Sequence, residues 1–193
     1  MNLPNKLTML RIILIPVFTI LLALGWPAGS VTILGTKIGI AWLVATIIFI
    51  CASLTDFADG KIARSQHLVT NFGKFADPLA DKLLVMTAFI FLTASGVIPA
   101  WATAIILWRE LAVTGLRLLL SNEGEVLAAA WPGKIKTATQ DFSIIFLMLN
   151  NIGFGAIGFP IGQVLFYLAV IFTIYSGVDY FYKNRGVFSD SFN

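Results

Sequence analysis

Ile38-Gly39-Ile40-Ala41-Trp42-Leu43-Val44-Ala45-Thr46-Ile47-Ile48-Phe49-Ile50-Cys51-Ala52-Ser53-Leu54-Thr55 is a run of 18 residues without a charge, and it leads straight into Asp56-Phe57-Ala58-Asp59-Gly60-Lys61-Ile62-Ala63-Arg64. Such a run is long enough for most of a membrane helix, which needs about 20 apolar residues. The pattern repeats along the chain. There are 25 uncharged residues between Arg11 and Lys37, and 26 between Lys82 and Arg109. A stretch of 37 between Asp141 and Asp179 is too long for one span, and turn residues from Asn150 to Pro160 divide it. Residues 97–120 are apolar except for Arg109, Glu110 and Arg117 and read as a helix with a polar second half. The spacing predicts six helices, at roughly 5–25, 37–66, 72–95, 98–121, 134–151 and 160–183.

The composition agrees. Of the 193 residues 58% are hydrophobic and only 12% charged, about half the charge of an ordinary soluble domain. Disorder is excluded by the apolar content, and a disulfide scaffold by Cys51, the single cysteine. The basic residues form no run or patch suited to nucleic acid, so the pI near 9.1 implies no such partner. The expected fold is all-α: a polytopic integral membrane protein of six transmembrane helices, one membrane domain over residues 1–193. Lys and Arg set the orientation. Lys37 is the only basic residue expected on the outer side, which places both termini, and the loops 65–72 and 121–133, in the cytoplasm. The first 30 residues also have the make-up of a secretory signal, but the chain beyond them is equally apolar.

Eight of the 23 charged residues fall within positions 56–82. Among them Asp56 and Asp59 are spaced i, i+3 and Asp77 and Asp81 i, i+4, so each pair shares one helix face. The short link from His67 to Asn71 makes the two helices antiparallel neighbours. Four carboxylates repel one another, and a charge inside the bilayer costs on the order of 2.5–3.5 kcal/mol. A hard divalent cation compensates both, and oxygen donors suit Mg²⁺ or Mn²⁺. Two such ions would hold the attacking and leaving oxygens of a phosphoryl displacement. Gly60 and Ala63 lie on the face of Asp56 and Asp59, where small side chains serve either close ligand approach or helix packing.

The pattern Asp56, Asp59, Gly60, Ala63, Arg64, Gly73, Asp77 and Asp81 resembles the signature of the CDP-alcohol phosphotransferases, with every fixed position filled. The resemblance implies a membrane enzyme that transfers a phosphatidyl or related group from a CDP-linked donor to an alcohol and releases CMP. It implies Asp56, Asp59, Asp77 and Asp81 as metal ligands for two ions, and Asp81 as the catalytic base. For the lipid donor it implies Asn5, Thr8, Asp56, Asp59, Gly60, Ala63, Arg64 and Gly73. A homodimer and a bacterial plasma-membrane location, with the site facing the cytoplasm, belong to the same resemblance.

Three further segments are similar to the bacterial branch of that family that uses sn-glycerol 3-phosphate with CDP-diacylglycerol. They are Pro4-Asn5-Lys6-Leu7-Thr8-Met9-Leu10-Arg11, then Trp108-Arg109-Glu110 with Gly115-Leu116-Arg117, and Gly133-Lys134-Ile135-Lys136-Thr137. Arg109 and Arg117, eight residues apart, lean toward one side of a helix, and with Lys134 they suit an anionic acceptor. Arg117 and Lys134 could equally reach lipid headgroups. Glu110 is the expected structural partner of Arg109, although neighbours on a helix diverge. Nothing argues for a nucleophilic Ser, Cys or His and hence a covalent intermediate. The alternatives are synthases of phosphatidylinositol phosphate, phosphatidylserine or cardiolipin and, from another class, a divalent-cation transporter. Asn150 and Asn151 are expected to cap a helix rather than bind substrate.

Overall fold

A computed structural model describes residues 3–27, 29–65, 71–122 and 131–185. Six helices carry the fold: α1 Leu3–Leu24, α2 Ile40–Ser65, α3 Asn71–Ala94, α4 Ala100–Asn122, α5 Trp131–Met148 and α6 Ile161–Lys183. Each coincides with one of the charge-poor segments. Among the described residues, two of them are long and apolar enough to cross a membrane, over Asn5–Leu24 and Ile161–Lys183.

The all-α expectation requires one correction. A two-stranded antiparallel hairpin, β1 Ser30–Ile33 and β2 Thr36–Gly39, separates α1 from α2 and pairs Ser30 with Gly39 and Ile33 with Thr36. Its two turn residues, Leu34 and Gly35, both have positive φ, the turn that matches the twist of paired strands. The β-branched run Val31-Thr32-Ile33 suits the extended backbone. As a result α2 begins at Ile40 rather than at 37. At the same end of the bundle Asn150 and Asn151 take left-handed backbone and stop α5 at Met148, short of 151. The Asn151 side chain then accepts the Gly162 amide at 2.7 Å, capping α6 as expected of it.

The helices pack through small residues and phenylalanines. Ala45, Ala52, Ala80, Ala88 and Ala102 are fully buried beside Phe18, Phe49, Phe89 and Phe166. Phe89 and Phe166 bring α3 and α6 together with ring centroids 5.7 Å apart. Alanine allows close backbone approach, and the rings fill the space between. Hydroxyls inside this core turn back onto their own helices: Thr46 donates to the Trp42 carbonyl at 2.7 Å and Thr93 to that of Phe89 at 2.8 Å. That is how an apolar bundle tolerates them. The outer faces stay apolar, with Ile13, Val17 and Ile20 on α1 and Leu168, Ile171 and Val178 on α6 exposed.

Candidate active site

A cavity of about 150 Å³ opens between α3, α4 and α5. Antiparallel packing of three successive helices brings their polar ends to one level. From α3 come Asp81 and Lys82; from α4, Arg109, Glu110 and Arg117; from α5, Gly133, Lys136, Thr137, Gln140 and Asp141. Val85, Met86, Ile106 and Val113 complete the lining.

Glu110 is the centre of this arrangement. Its carboxylate is buried and accepts from Lys136 and, at 3.3 Å, from Nη1 of Arg109. Its second oxygen lies 3.5 Å from the Lys82 ammonium. Lys82 also donates to the Glu110 carbonyl at 3.2 Å and to the Thr114 hydroxyl. The quartet holds three cations and one carboxylate, and Arg117, Asp81 and Asp141 line the same cavity. Buried charge is costly unless paired, and the guanidinium and ammonium donors gathered around Glu110 suit an anionic ligand.

Arg109 reaches α6 as well, donating from Nη2 to Ser176 Oγ at 2.9 Å. Gly177 makes room for it: a Cβ there would stand 3.1 Å from Arg109 Cγ. Arg117 lies over the Tyr180 ring, 5.5 Å from its centroid. Lys134 is exposed, over the Trp131 ring at 5.6 Å, and is not among the lining residues of the cavity. Lys136, two positions on, is the lysine that faces it.

The structure thus brings together three of the residues expected from sequence, Asp81, Arg109 and Arg117. Thr8 is buried and Asn5 half-buried on α1, outside this lining. α2 runs unbroken through Ser65 and carries positions 56, 59, 60, 63 and 64, and α3 carries positions 73 and 77. The side chains of Asp56, Asp59, Ala63, Arg64 and Asp77, and the surroundings of Gly60 and Gly73, lie outside the described residues. His67 also lies outside them. Among the described residues no three Asp, Glu, His or Cys side chains gather as a metal site. Lys82, Gln140 and Ser176 were not singled out from sequence, because each becomes notable only through a residue on another helix.

Comparison with known proteins bears on this geometry. The family model for CDP-alcohol phosphatidyltransferase matches residues 1–175. A CDP-diacylglycerol–glycerol-3-phosphate 3-phosphatidyltransferase of Bacillus subtilis is 49% identical over 183 residues, 95% of either chain. One of the same name from Rickettsia typhi is 38% identical over 181 residues, 93% of this chain and 95% of that one. A probable phosphatidylglycerophosphate synthase of Mycobacterium tuberculosis is 41% identical over 182 residues, 93% of this chain and 79% of its own.

Proposed function

This chain belongs to the CDP-alcohol phosphatidyltransferase family, and we propose that it transfers the phosphatidyl group of CDP-diacylglycerol to sn-glycerol 3-phosphate, giving phosphatidylglycerol phosphate and CMP. One observation carries the reading: Asp81 shares a cavity with Lys82, Arg109, Arg117 and Lys136. A carboxylate able to accept a proton therefore stands beside a cationic pocket of the size of a small phosphate ester. The relatives' names point to the same reaction.

In this reading Arg109, Arg117 and Lys136 hold the acceptor's phosphate. The planar guanidinium forks engage two oxygens at once, and lysine adds a point charge. Lys134, exposed beside the lining residue Gly133, meets the acceptor at the entrance. With the phosphate held, the hydroxyl at the other end of the acceptor turns to Asp81. Asp81 takes its proton while the oxygen attacks the phosphorus that bears diacylglycerol. The bond from that phosphorus to CMP breaks, and CMP leaves with the electron pair. Glu110 fixes the cations without touching the reacting atoms.

The family is metal-dependent, and the donor set fits that chemistry. Asp56, Asp59, Asp77 and Asp81 are four carboxylates, suited to Mg²⁺ or Mn²⁺. Ions bound there would supply positive charge for the donor's pyrophosphate and for CMP as leaving group. Asn5, Thr8, Gly60, Ala63, Arg64 and Gly73 belong to the lipid donor's side of the site.

The protein sits in the bacterial plasma membrane with six spans, both termini and the site facing the cytoplasm. The support is the placement of Lys and Arg and the apolar outer faces of the helices. A homodimer follows from the family resemblance, and the mass of the solubilised protein tests it. The decisive assay supplies CDP-diacylglycerol and Mg²⁺ with labelled glycerol 3-phosphate, inositol phosphate, serine or phosphatidylglycerol. A new labelled phospholipid should form, with CMP released, from glycerol 3-phosphate alone. Entry from another acceptor assigns a sister synthase, and metal uptake into vesicles without CMP release assigns a transporter.

A further inference from the structure

Gln140 is only 2% exposed and lines the cavity, yet its Nε2 has no hydrogen-bond partner among the described residues. Its backbone carbonyl accepts from the Ser143 hydroxyl at 2.7 Å, while the side-chain Nε2 is itself buried. A buried amide donor without a partner costs free energy that folding does not recover. Such a group calls for an acceptor that arrives from outside.

We propose that the Gln140 amide donates to the phosphate of the acceptor alcohol as a neutral member of its pocket. The inference rests on the reading of the cavity as the glycerol 3-phosphate site. Gln140 follows Lys136 by four residues, one helical turn on the same face of α5. It therefore extends the row that begins with that ammonium. Ile106, one turn before Glu110 on α4, lines the same cavity. Asp81, the proton acceptor, comes from a different wall, on α3. A phosphate monoester offers three terminal oxygens, each able to accept more than one bond. The cavity already holds four cations, Lys82, Arg109, Arg117 and Lys136, and a further one would add repulsion whenever the site is empty. An amide adds a directed bond without adding charge.

The test measures CMP release by the detergent-solubilised protein with CDP-diacylglycerol and Mg²⁺, and its thermal unfolding with and without sn-glycerol 3-phosphate. Gln140→Met keeps the volume and removes the donor. Its KM for glycerol 3-phosphate should rise about tenfold, with kcat within about twofold of the parent, the scale of one hydrogen bond to a charged group. Without ligand it should unfold at the same or a higher temperature, because an unpaired buried donor has been removed. The shift produced by glycerol 3-phosphate should shrink. Gln140→Glu, equal in size, replaces the donor by an acceptor and should raise KM further; it also serves if the methionine variant does not fold. An unchanged KM in either folded variant overturns the inference while the parent's activity preserves the reading of the reaction. A lower unfolding temperature with kcat and KM both impaired assigns Gln140 to structure and also overturns it. A parent that releases no CMP with glycerol 3-phosphate removes the reading and the inference together.

Discussion

The two ends of the helix bundle spend their polar side chains differently. At the end that carries the hairpin, polar groups serve the backbone. Asn150 Nδ2 donates to the Lys37 carbonyl at 3.3 Å, and Asn151 accepts the Gly162 amide. Leu34, Gly35, Asn150 and Asn151 turn the chain through left-handed backbone. At the other end the polar groups bond each other: Glu110 joins Lys82, Arg109 and Lys136 across three helices. One end holds the fold's direction with neutral groups. The other buries charged side chains of both signs, which stability alone does not require, since buried ion pairs rarely outperform well-packed apolar residues. In the proposed reading, that asymmetry marks the end that does chemistry.

The contrast can be broken by mutation. The largest effect is expected at Asp81: Asp81→Asn should cut CMP release by about 10²–10⁴-fold, the usual contribution of a positioned base, with CDP-diacylglycerol binding retained. Substantial residual turnover would take the base role from it. Next comes Glu110→Ala, which leaves buried cations uncompensated; chemical denaturation in detergent should show a loss of about 3–5 kcal/mol. A neutral outcome would mean that the quartet is solvated, not buried.

Arg109→Ala sharpens the assignment of the acceptor. It should raise the glycerol 3-phosphate KM about tenfold to a hundredfold, from the loss of charge-assisted bonds, with the KM for the lipid donor little changed. At the far end, Asn151→Ala removes the cap on α6 and should cost about 1 kcal/mol of stability. Its acceptor KM should stay at the parent value; a rise there would dissolve the division between the ends. Smallest is Lys134→Met, for which a KM increase of only a few fold is expected, with no change in unfolding. Lys136→Met, two residues away, should affect both quantities.

Much of the helical framework could be read directly. Charge-free intervals located all six helices to within a few residues, because burial and lipid both demand apolar runs of a definite length. The departures come from backbone geometry. α2 starts late because Leu34 and Gly35 form a tight hairpin turn, and hairpin pairing is a contact between segments that hydropathy does not register. Within the site, Arg109 and Arg117 stood out because their surroundings in sequence are apolar, and Asp81 because of its spacing within the four-aspartate pattern. Lys82 and Gln140 did not, since a lysine beside an aspartate, or one glutamine in a helix, is unremarkable alone. Lys134 and Lys136 show the limit most plainly. They belong to one motif, yet two residues along a helix turn a side chain by about 200°, so one lies over Trp131 and the other reaches Glu110.

By itself the sequence determined an apolar helical protein, a crowded set of aspartates in positions 56–81, and a family signature with its reaction. Those depend on residue type and spacing along one chain, and a helix converts spacing into a face without further help. Only the tertiary structure decided that Glu110 gathers cations from three helices, that Lys136 rather than Lys134 lines the cavity, and that Gln140 has there a donor unpaired among the described residues. Each of these depends on the distance between helices. That distance follows from alanine and phenylalanine packing throughout the bundle, not from any local run of residues.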